Sequence, residues 1–304
     1  MMKGIVGIGA NVFDTLITLQ KYPDEDTKSK CEEIRQSGGG PVATGLVAAA
    51  KLGAECAYIG NLSLDAGGRF LKADLERFGV STELCRVLPG YASFSSCIWL
   101  STERATRTVV FDRGNLPPTK IGEREREAIA DASLLMVDGN DLDAAVEGAK
   151  IARENGTKVL YDAGGLYPGV ERLLPYADYL IPSEEFALGH TGEKTAEDAA
   201  KSLYEKYSPA FVVITQGKRG GILFDGETVT PYPALPATVV DSNGAGDVFH
   251  GAFAYAMTKG YDPARACVFA SATSALKCEK IGARDGAPDF AAVKKFLEEN
   301  GYEL

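Results

Sequence analysis

From residue 119 onward, short apolar runs alternate with longer stretches of helical periodicity, and this alternation limits the possible folds more than any other feature of the chain. The runs cover residues 134–137, 158–161, 179–181 and 210–215, and each ends in a loop of polar or glycine residues. Continuous apolar runs separated by helices are typical of a parallel sheet that is covered on both faces. Because the carboxyl ends of parallel strands meet at one edge, ligand-binding groups are expected along that edge. A chain of 304 residues is long enough for one large α/β domain with a small appendage.

The first part of the chain departs from this alternation. Residues 5–9 predict a buried strand, but two hairpins follow before the regular pattern begins. Segments of about 12–37 and 91–112 each contain two β-rich stretches joined by a polar turn, at 22–26 and at 101–105. Two hairpins inserted in this way predict a small sheet that stands outside the main one.

Composition excludes several classes of protein. The formal net charge is −10, whereas nucleic acids and anionic membrane surfaces are bound by basic faces, so neither is expected as a partner. The six cysteines form no C-x-x-C pair and only two histidines are present, so a zinc site is not expected and the thiols are expected to be reduced. Residues 1–9 are too short an apolar run for a signal peptide, and no stretch is long enough to span a bilayer. These features predict a cytoplasmic protein.

The sequence Asp-Ser-Asn-Gly-Ala-Gly-Asp at residues 241–247 is the strongest functional motif. The apolar residues that follow it fall at helical spacing, so a helix is expected to begin at about Gly244. The N–H groups of Gly244, Ala245 and Gly246 at such a helix start are unpaired and, together with the helix dipole, form an anion site. Asp247 lies in the first turn, where a carboxylate could take a proton from a hydroxyl that attacks phosphorus. The same residues would also fit a plain capped helix with an acidic first turn.

The heptapeptide resembles the signature Asp-Thr-x-Gly-Ala-Gly-Asp of the ribokinase family of carbohydrate kinases (the PfkB group), with Ser242 in place of threonine. The resemblance extends over nearly the whole chain. It implies a three-layer α/β/α sandwich with a mostly parallel sheet, and it identifies the two hairpins as a β-sheet lid that closes over a sugar. It also implies ATP-dependent phosphorylation of a sugar hydroxyl, with Asp247 as the general base. Mg²⁺ is implied as a cofactor, and activation by K⁺, bound through backbone carbonyls beside the anion hole, stays open. In several family members the lid also forms a dimer contact.

The resemblance implies a set of sugar-binding residues as well. Gly39 and Gly40 match the family pattern Gly-Gly-x-x-x-Asn, in which Thr44 here replaces the asparagine. A threonine is shorter and lacks the amide, so the identity of the sugar stays open. The residues expected to contact the substrate are Asn11, Asp14, Gly39, Gly40, Thr44, Asp241 and, on the lid, Arg107.

The residues expected at the nucleotide follow from the same resemblance. They are Ser183, Thr215, Gly217, Gly220, Ser271 and Gly282. The family often carries Asn-x-x-Glu to organise magnesium-bound water, but Ser183 and Phe186 stand at those two positions here. Glu184 or Glu185 could take over this role through water, or both could form a solvated helix start. No Walker A motif or protein-kinase triplet is present, so the helix start at Gly244 must supply the anion hole.

Two other functions stay open at this point. A nucleoside kinase would use the same chemistry and would need an aromatic lid face for a base, which Phe94 and Trp99 could supply. A non-catalytic sugar-binding protein would keep the fold. The departures in the sugar and metal motifs favour it, whereas the intact Asp247 argues against it.

Overall fold

The computed structural model describes residues 4–104 and 106–303; residues 1–3 of the N-terminal run and Ala105 of the predicted lid turn lie outside the described residues. The helices are α1 (Pro41–Lys51), α2 (Ala66–Arg77), α3 (Glu123–Asp131), α4 (Leu142–Asn155), α5 (Glu184–Thr191), α6 (Ala196–Tyr207), α7 (Ala245–Thr258), α8 (Pro263–Cys278) and α9 (Phe290–Glu299). The strands are β1 (Ile5–Ile8), β2 (Val12–Leu19), β3 (Glu33–Gly39), β4 (Cys56–Ser63), β5 (Val80–Ser81), β6 (Cys85–Leu88), β7 (Ser95–Ser101), β8 (Thr106–Asp112), β9 (Leu134–Val137), β10 (Lys158–Ala163), β11 (Tyr179–Pro182), β12 (Phe211–Thr215), β13 (Gly221–Phe224) and β14 (Val229–Tyr232).

The large sheet has the strand order β14-β13-β12-β11-β10-β9-β1-β4-β5, with β6 paired to the second half of β4. The pairs from β12 to β5 are parallel, and β13 and β14 add an antiparallel edge. The predicted strands at 134–137, 158–161, 179–181 and 210–215 correspond to β9, β10, β11 and β12, so the prediction of a mostly parallel sheet is confirmed. No helix within the described ranges is long and apolar enough to cross a membrane.

Helices cover both faces of this sheet, because successive strand residues point to opposite faces. In β9, Leu134 and Met136 join a core with residues of α1, α7, α8 and α9, whereas Leu135 and Val137 join a second core with residues of α3 to α6. All four side chains are at most 1% exposed. The predicted three-layer α/β/α sandwich is therefore confirmed.

A second, four-stranded sheet has the order β3-β2-β7-β8. Strands β2 and β3 form one antiparallel hairpin, β7 and β8 form the other, and β2 pairs with β7 in parallel. The two predicted hairpins are confirmed, and β3 of the first hairpin continues through Gly39, just beyond the predicted segment of about 12–37. Gly38 and Gly39 lie in the strand, where an added Cβ would overlap the side chains of Arg284 and Asp14 respectively. These glycines leave space for neighbouring side chains instead of making a turn.

A carboxylate from the end of β9 fixes the start of α1. Gly40 precedes α1 with a φ of 93°, a backbone conformation that favours glycine. Asp138, directly after β9, accepts hydrogen bonds from the backbone N–H groups of Ala10 at 2.9 Å and Val42 at 3.3 Å. Its Oδ2 thereby satisfies the N–H group of Val42, which the start of α1 leaves without an intrahelical partner. Asp138 thus joins the ends of β1 and β9 to the first turn of α1.

Helices α1 and α7 approach each other to backbone contact. A Cβ on Gly251 of α7 would overlap the carbonyl oxygen of Gly45 in α1, so a larger residue at this position would force the helices apart. A Cβ on Gly45 would in turn lie 3.3 Å from the carbonyl oxygen of Asp247. This contact holds the first turn of α1 beside the start of α7.

Candidate active site

The first turn of α7 is open beside Gly246. Gly244 is the N-cap with a φ of 75°, and no side chain caps the helix. The first turn of a helix leaves backbone N–H groups without intrahelical partners, although Ala245 N also donates to the Ser242 carbonyl at 3.2 Å. A Cβ on Gly246 would meet no atom within 4 Å. The helix start predicted near Gly244 is present, and it has the geometry of an anion site.

Asp247 lies in the first turn of α7 and is partly exposed. Burial, and after it the negative charge of Asp162, raises the pKa of Asp247 from its usual 3.8 to about 7. The carboxylates of Asp138 and Asp14 act in the same direction, and His250 opposes them. A general base works best when its pKa lies near the operating pH. Asp247 is therefore suited to accept a proton near neutral pH.

Two buried side chains, Asp162 and His250, support the start of α7 from below. Nδ1 of His250 lies 2.7 Å from the carbonyl oxygen of Gly246 and 3.3 Å from Oδ2 of Asp162. Nε2 lies 3.0 Å from the carbonyl oxygen of Ile181. Burial lowers the pKa of His250 and raises the pKa of Asp162 well above its usual range. Sequence reasoning missed both roles, although Asp162 is visible there as a polar residue at the end of a strand.

Strands of the lid sheet converge on Asp14. Ser96 of β7 donates a hydrogen bond of 2.7 Å to Oδ1 of Asp14, and a Cβ on Gly39 of β3 would overlap Oδ2. Burial raises the pKa of Asp14 to about 6, while the Ser96 hydroxyl and the Arg284 guanidinium act against it. Asp14 and Gly39, both predicted to bind substrate, thus lie side by side at the base of the lid.

Arg284 is a site residue that sequence reasoning missed. Its side chain is fully buried, and its guanidinium donates to Oδ2 of Asp74 at 2.7 Å, to Oδ1 of Asn11 at 2.7 Å and to the carbonyl oxygen of Gly39 at 2.6 Å. Arg284 follows α8 near the end of the chain, so it ties the C-terminal region to Asn11 and Gly39, two of the predicted substrate-binding residues. It carries no periodic or motif signal by which the sequence could reveal it.

Two predicted substrate-binding residues each have a buried polar group without a protein partner. Nδ2 of Asn11 and Oγ1 of Thr44 make no hydrogen bond to any other part of the chain that the structure describes. Buried polar groups normally have partners. Thr44 also lies close to the start of α7, since a Cβ on Gly244 would be 3.6 Å from its Cγ2. Both groups are therefore available to a ligand between the lid and α7.

The lid reaches the heptapeptide through Arg107. This residue of β8 donates a hydrogen bond from Nη1 to Oγ of Ser242 at 3.2 Å. Strand β8 belongs to the same sheet as β2 and β3, which carry the predicted substrate residues Asp14 and Gly39, so this hydrogen bond links that sheet to the heptapeptide. Ser242 is the residue that departs from the family signature, and its hydroxyl makes this contact.

The loops that follow β11 and β12 are linked to each other. Ser183 caps α5 by accepting a hydrogen bond of 3.1 Å from Phe186 N, and it forms a β-bridge with Thr215. Glu184 accepts a hydrogen bond of 2.7 Å from Gln216 Nε2 and pairs with Arg219, in the turn between Gly217 and Gly220. Phe186 is 1% exposed and belongs to the core, whereas Glu185 is exposed. Among residues 4–104 and 106–303, no group of three or more His, Cys, Asp or Glu side chains is arranged to hold a metal ion.

Two predicted ligand-contact residues, Asp241 and Ser271, also hold loops together. The carboxylate of Asp241, which was expected to contact the substrate, accepts hydrogen bonds of 2.8 Å from Asn243 N and from Gly282 N. Ser271 donates to the carbonyl oxygen of Pro233 at 2.7 Å. Both carboxylate oxygens of Asp241 are thus engaged within the protein, so its side chain braces the heptapeptide.

The fold and the site together define a ribokinase-like protein: a three-layer sandwich with a β-sheet lid, in which a glycine-rich helix start faces a cluster of buried polar groups. Ribokinase of Arabidopsis thaliana, solved with ribose and ATP, superposes with a TM-score of 0.87 at 25% identity, covering 98% of this chain and 99% of that one. Ribokinase of Lactococcus lactis is 27% identical over 302 residues, covering 98% of each chain. Nucleoside kinase of Methanothermobacter thermautotrophicus is 25% identical over 309 residues, covering 99% of this chain and 98% of the relative.

The chain belongs to the pfkB family of carbohydrate kinases, whose sequence pattern matches residues 5–289. The predicted family is therefore confirmed, and the protein is an ATP-dependent carbohydrate kinase. Membership favours an enzyme over a non-catalytic sugar-binding protein.

Proposed function

We propose that this kinase transfers the γ-phosphoryl group of ATP to a sugar hydroxyl, with Asp247 as the general base. The observation that carries the proposal is the position of Asp247, which lies in the first turn of an uncapped helix and has a pKa raised to about 7. In this role Asp247 takes the proton of the sugar hydroxyl while the hydroxyl oxygen attacks the γ-phosphorus.

The start of α7 would hold the charge of the transferring group. The N–H groups of Gly244, Ala245 and Gly246 would supply donors, placed in advance, that stabilise the charge spreading over the phosphoryl oxygens, and the space beside Gly246 is open. His250 supports this arrangement because it lies 2.7 Å from the Gly246 carbonyl oxygen and restrains the first turn.

The sugar would lie between the lid and α1. Asn11, Asp14 and Thr44 offer an amide, a carboxyl group and a hydroxyl for sugar hydroxyls. Gly39 leaves room for the Asp14 carboxylate, and Gly40 approaches the Ala10 carbonyl too closely for a side chain. Arg107 is within reach of the same space from the lid. Closing this space excludes water from the attacking oxygen.

ATP would approach from the side of β11 and β12. Thr215, Gly217 and Gly220 would lie along its phosphates. Ser271 and Gly282 would border the adenine through their backbone, since the Ser271 hydroxyl and the Gly282 N–H are bonded within the protein.

Mg²⁺ would be held through water by the acidic start of α5. Glu184 is already engaged by Gln216 and Arg219, so the exposed Glu185 is the better partner for magnesium-bound water. When bound, the ion neutralises charge on the ATP phosphates. Ser183 caps α5 in this arrangement and Phe186 packs in the core, so neither would bind the ion.

A nucleoside is the second candidate substrate, and an aromatic cluster beside the site favours it. The rings of Phe94 and Phe111 lie 5.9 Å apart, and the Arg113 guanidinium lies 5.6 Å from Phe94 and 5.5 Å from Tyr167. Such a surface can stack a base. Trp99, the other predicted aromatic, packs against Tyr22 at 6.2 Å.

A second copy of the chain would pair with the edge of the lid sheet. Strand β8 is an edge strand whose seven residues are all exposed, including Val110 at 65% and Phe111 at 57%. Unpaired edges of this kind are templates for strand pairing. Sedimentation velocity is expected to give a dimer that Val110→Lys converts to monomer; a wild-type monomer at all concentrations would contradict this.

The test is an ADP-release assay with Mg-ATP across pentoses, ketohexoses, aldohexoses, sugar acids and nucleosides. For the best substrate, Asp247→Asn is expected to lower kcat by at least ~10²-fold with sugar affinity nearly unchanged. Asp143→Asn, at an exposed acidic position in the first turn of α4, is the matched control and is expected to retain full activity. Wild-type turnover in Asp247→Asn would rule out the general-base role, and equal losses of rate and affinity would indicate a structural one.

A further inference from the structure

Lys277 of α8 has a fully buried side chain that the proposed mechanism leaves unused. Its ammonium donates a hydrogen bond of 2.6 Å to the carbonyl oxygen of Asp241 and lies 3.5 Å from Oδ2 of the same residue. Lysine is almost never fully buried unless its charge is paired. Burial lowers the pKa of Lys277, while the charge of Asp241 acts against this change. The ammonium and Asp241 therefore form a buried ion pair at the first residue of the heptapeptide.

This pair belongs to a network that sets the shape of the heptapeptide loop. Oδ1 of Asp241 accepts from Asn243 N, and Oδ2 accepts from Gly282 N, each at 2.8 Å. The carbonyl held by Lys277 and the amide held by Oδ1 lie on the same short loop that ends at Gly244, the N-cap of α7. Whatever fixes Asp241 thus fixes the direction of the N–H groups proposed to bind phosphate.

The site at Asp241 does not fit an additional monovalent cation. The family resemblance leaves K⁺ activation open, through backbone carbonyls beside the anion hole. In this chain the carbonyl of Asp241 already accepts a hydrogen bond from an ammonium, and the carboxylate next to it is neutralised by the same group. A second cation at the same pair of acceptors would be repelled by the first.

We propose that Lys277 is a built-in cation that positions the phosphate-binding loop, so that phosphoryl transfer by this kinase needs no monovalent cation. The inference rests on the proposed function of the start of α7. Lys277 acts through Asp241 and touches neither substrate nor ATP, which makes it a positioning residue. Potassium and ammonium ions carry the same charge as its side chain and are small enough to replace it if the side chain is removed.

The first test needs only the wild-type enzyme. ADP release is measured with tetramethylammonium salts of all components, while KCl replaces tetramethylammonium chloride at a constant ionic strength of ~0.1 M. The rate is expected to change by less than about twofold, since the site for the ion is filled. Activation by K⁺ of about tenfold or more would overturn the proposal.

The second test removes the ammonium. Lys277→Ala is expected to lower kcat by about tenfold or more in tetramethylammonium, the effect of losing a charge-assisted hydrogen bond. Potassium or ammonium chloride is expected to restore the rate. Lys277→Met, which keeps the length of the side chain without its charge, is expected to show the same loss without rescue because the space stays filled. A variant Lys277→Ala that is fully active without the ion, or that no ion rescues, would contradict the proposal.

A control and a binding measurement complete the design. Lys51→Ala removes another lysine that donates a hydrogen bond to a backbone carbonyl oxygen, that of Asp285. The rate of this variant is expected to show no dependence on K⁺. Thermal melting of Lys277→Ala is expected to shift upward with K⁺ or NH₄⁺ relative to tetramethylammonium, whereas the wild-type melt does not shift. Melting needs no turnover, so this readout tests Lys277 even if every candidate substrate fails. Equal shifts in the two proteins would refute the role of the ammonium.

Discussion

The raised pKa of Asp247 predicts how the rate of this kinase depends on pH. The carboxylate must be ionised to accept a proton, and its pKa is raised to about 7, first by burial and then by Asp162. A group of pKa 7 is about one-eleventh ionised at pH 6 and ten-elevenths ionised at pH 8, so kcat/KM for the sugar is expected to rise about tenfold across this interval. An ordinary aspartate, with a pKa of 3.8, would be more than about 99% ionised at both values and would give a flat profile.

A second carboxyl group sharpens the expected profile. Burial raises the pKa of Asp14 to about 6. If its carboxylate binds the sugar, the logarithmic slope of kcat/KM steepens from about 1 to about 2 below pH 6, and Asp14→Asn removes the steeper part.

The assay is initial-rate ADP release between pH 5 and 9 at saturating Mg-ATP, with the sugar varied. Asp162→Asn provides the comparison: where Asp162 is ionised, its negative charge raises the pKa of Asp247, so its removal is expected to move the fall in rate to lower pH. Burial is the larger cause of the raised pKa of Asp247. The fall in rate is therefore expected to remain at a higher pH than an exposed aspartate would give. A wild-type kcat/KM that is constant from pH 6 to 8 and falls only below pH 5 would refute the assignment of Asp247 as a base with a raised pKa.

Two further predictions concern residues around the sugar site. Arg284→Met breaks the buried ion pair with Asp74 and is expected to lower the free energy of unfolding by about 3 kcal/mol. This value is at the low end for a buried ion pair because Arg77 still contacts Asp74 at 2.7 Å in the variant. Denaturant unfolding measures the change, and the half-exposed Arg77→Met is expected to cost less than about 1 kcal/mol; equal losses would contradict the argument. Gly39→Ala places a methyl group against the Asp14 carboxylate and is expected to raise the KM for the sugar at least about tenfold with the KM for ATP unchanged, whereas an unchanged sugar KM would show that the carboxylate has no such role.

The layered fold could be predicted because its signals are local. Strand β9 coincides with the predicted run 134–137. In a chain where short apolar runs alternate with helices, a run of four apolar residues is typical of a buried parallel strand. The helix start at Gly244 was predictable for the same reason, because it combines glycines with helical spacing directly after them. The end of β3 was not predictable, because Gly38 and Gly39 are glycines where Arg284 and Asp14 occupy the space of a side chain, and those partners are distant in the sequence.

The residues that hold the site in shape could not be predicted from the sequence, because their partners are distant along the chain. Arg284 contacts Asn11 and Gly39 across most of the chain, and nothing near Arg284 marks it. Asp138 was visible only as a polar residue at the end of a strand, although it is the group that holds the start of α1. Asp241 is a predicted substrate contact because it belongs to a signature, whereas the hydrogen bond that it accepts from Gly282 N becomes apparent only in three dimensions.

The hydrogen bond from Arg107 to Ser242 connects the lid to the loop that precedes the anion site, and this has a consequence for how long each substrate stays bound. A nucleotide that steadies the loop also steadies the lid contact, so it slows the departure of the sugar. Linkage requires that the sugar strengthen nucleotide binding by the same factor. The two ligands are thus expected to hold each other in place, and products to leave in sequence, with the lid opening only after one of them has gone.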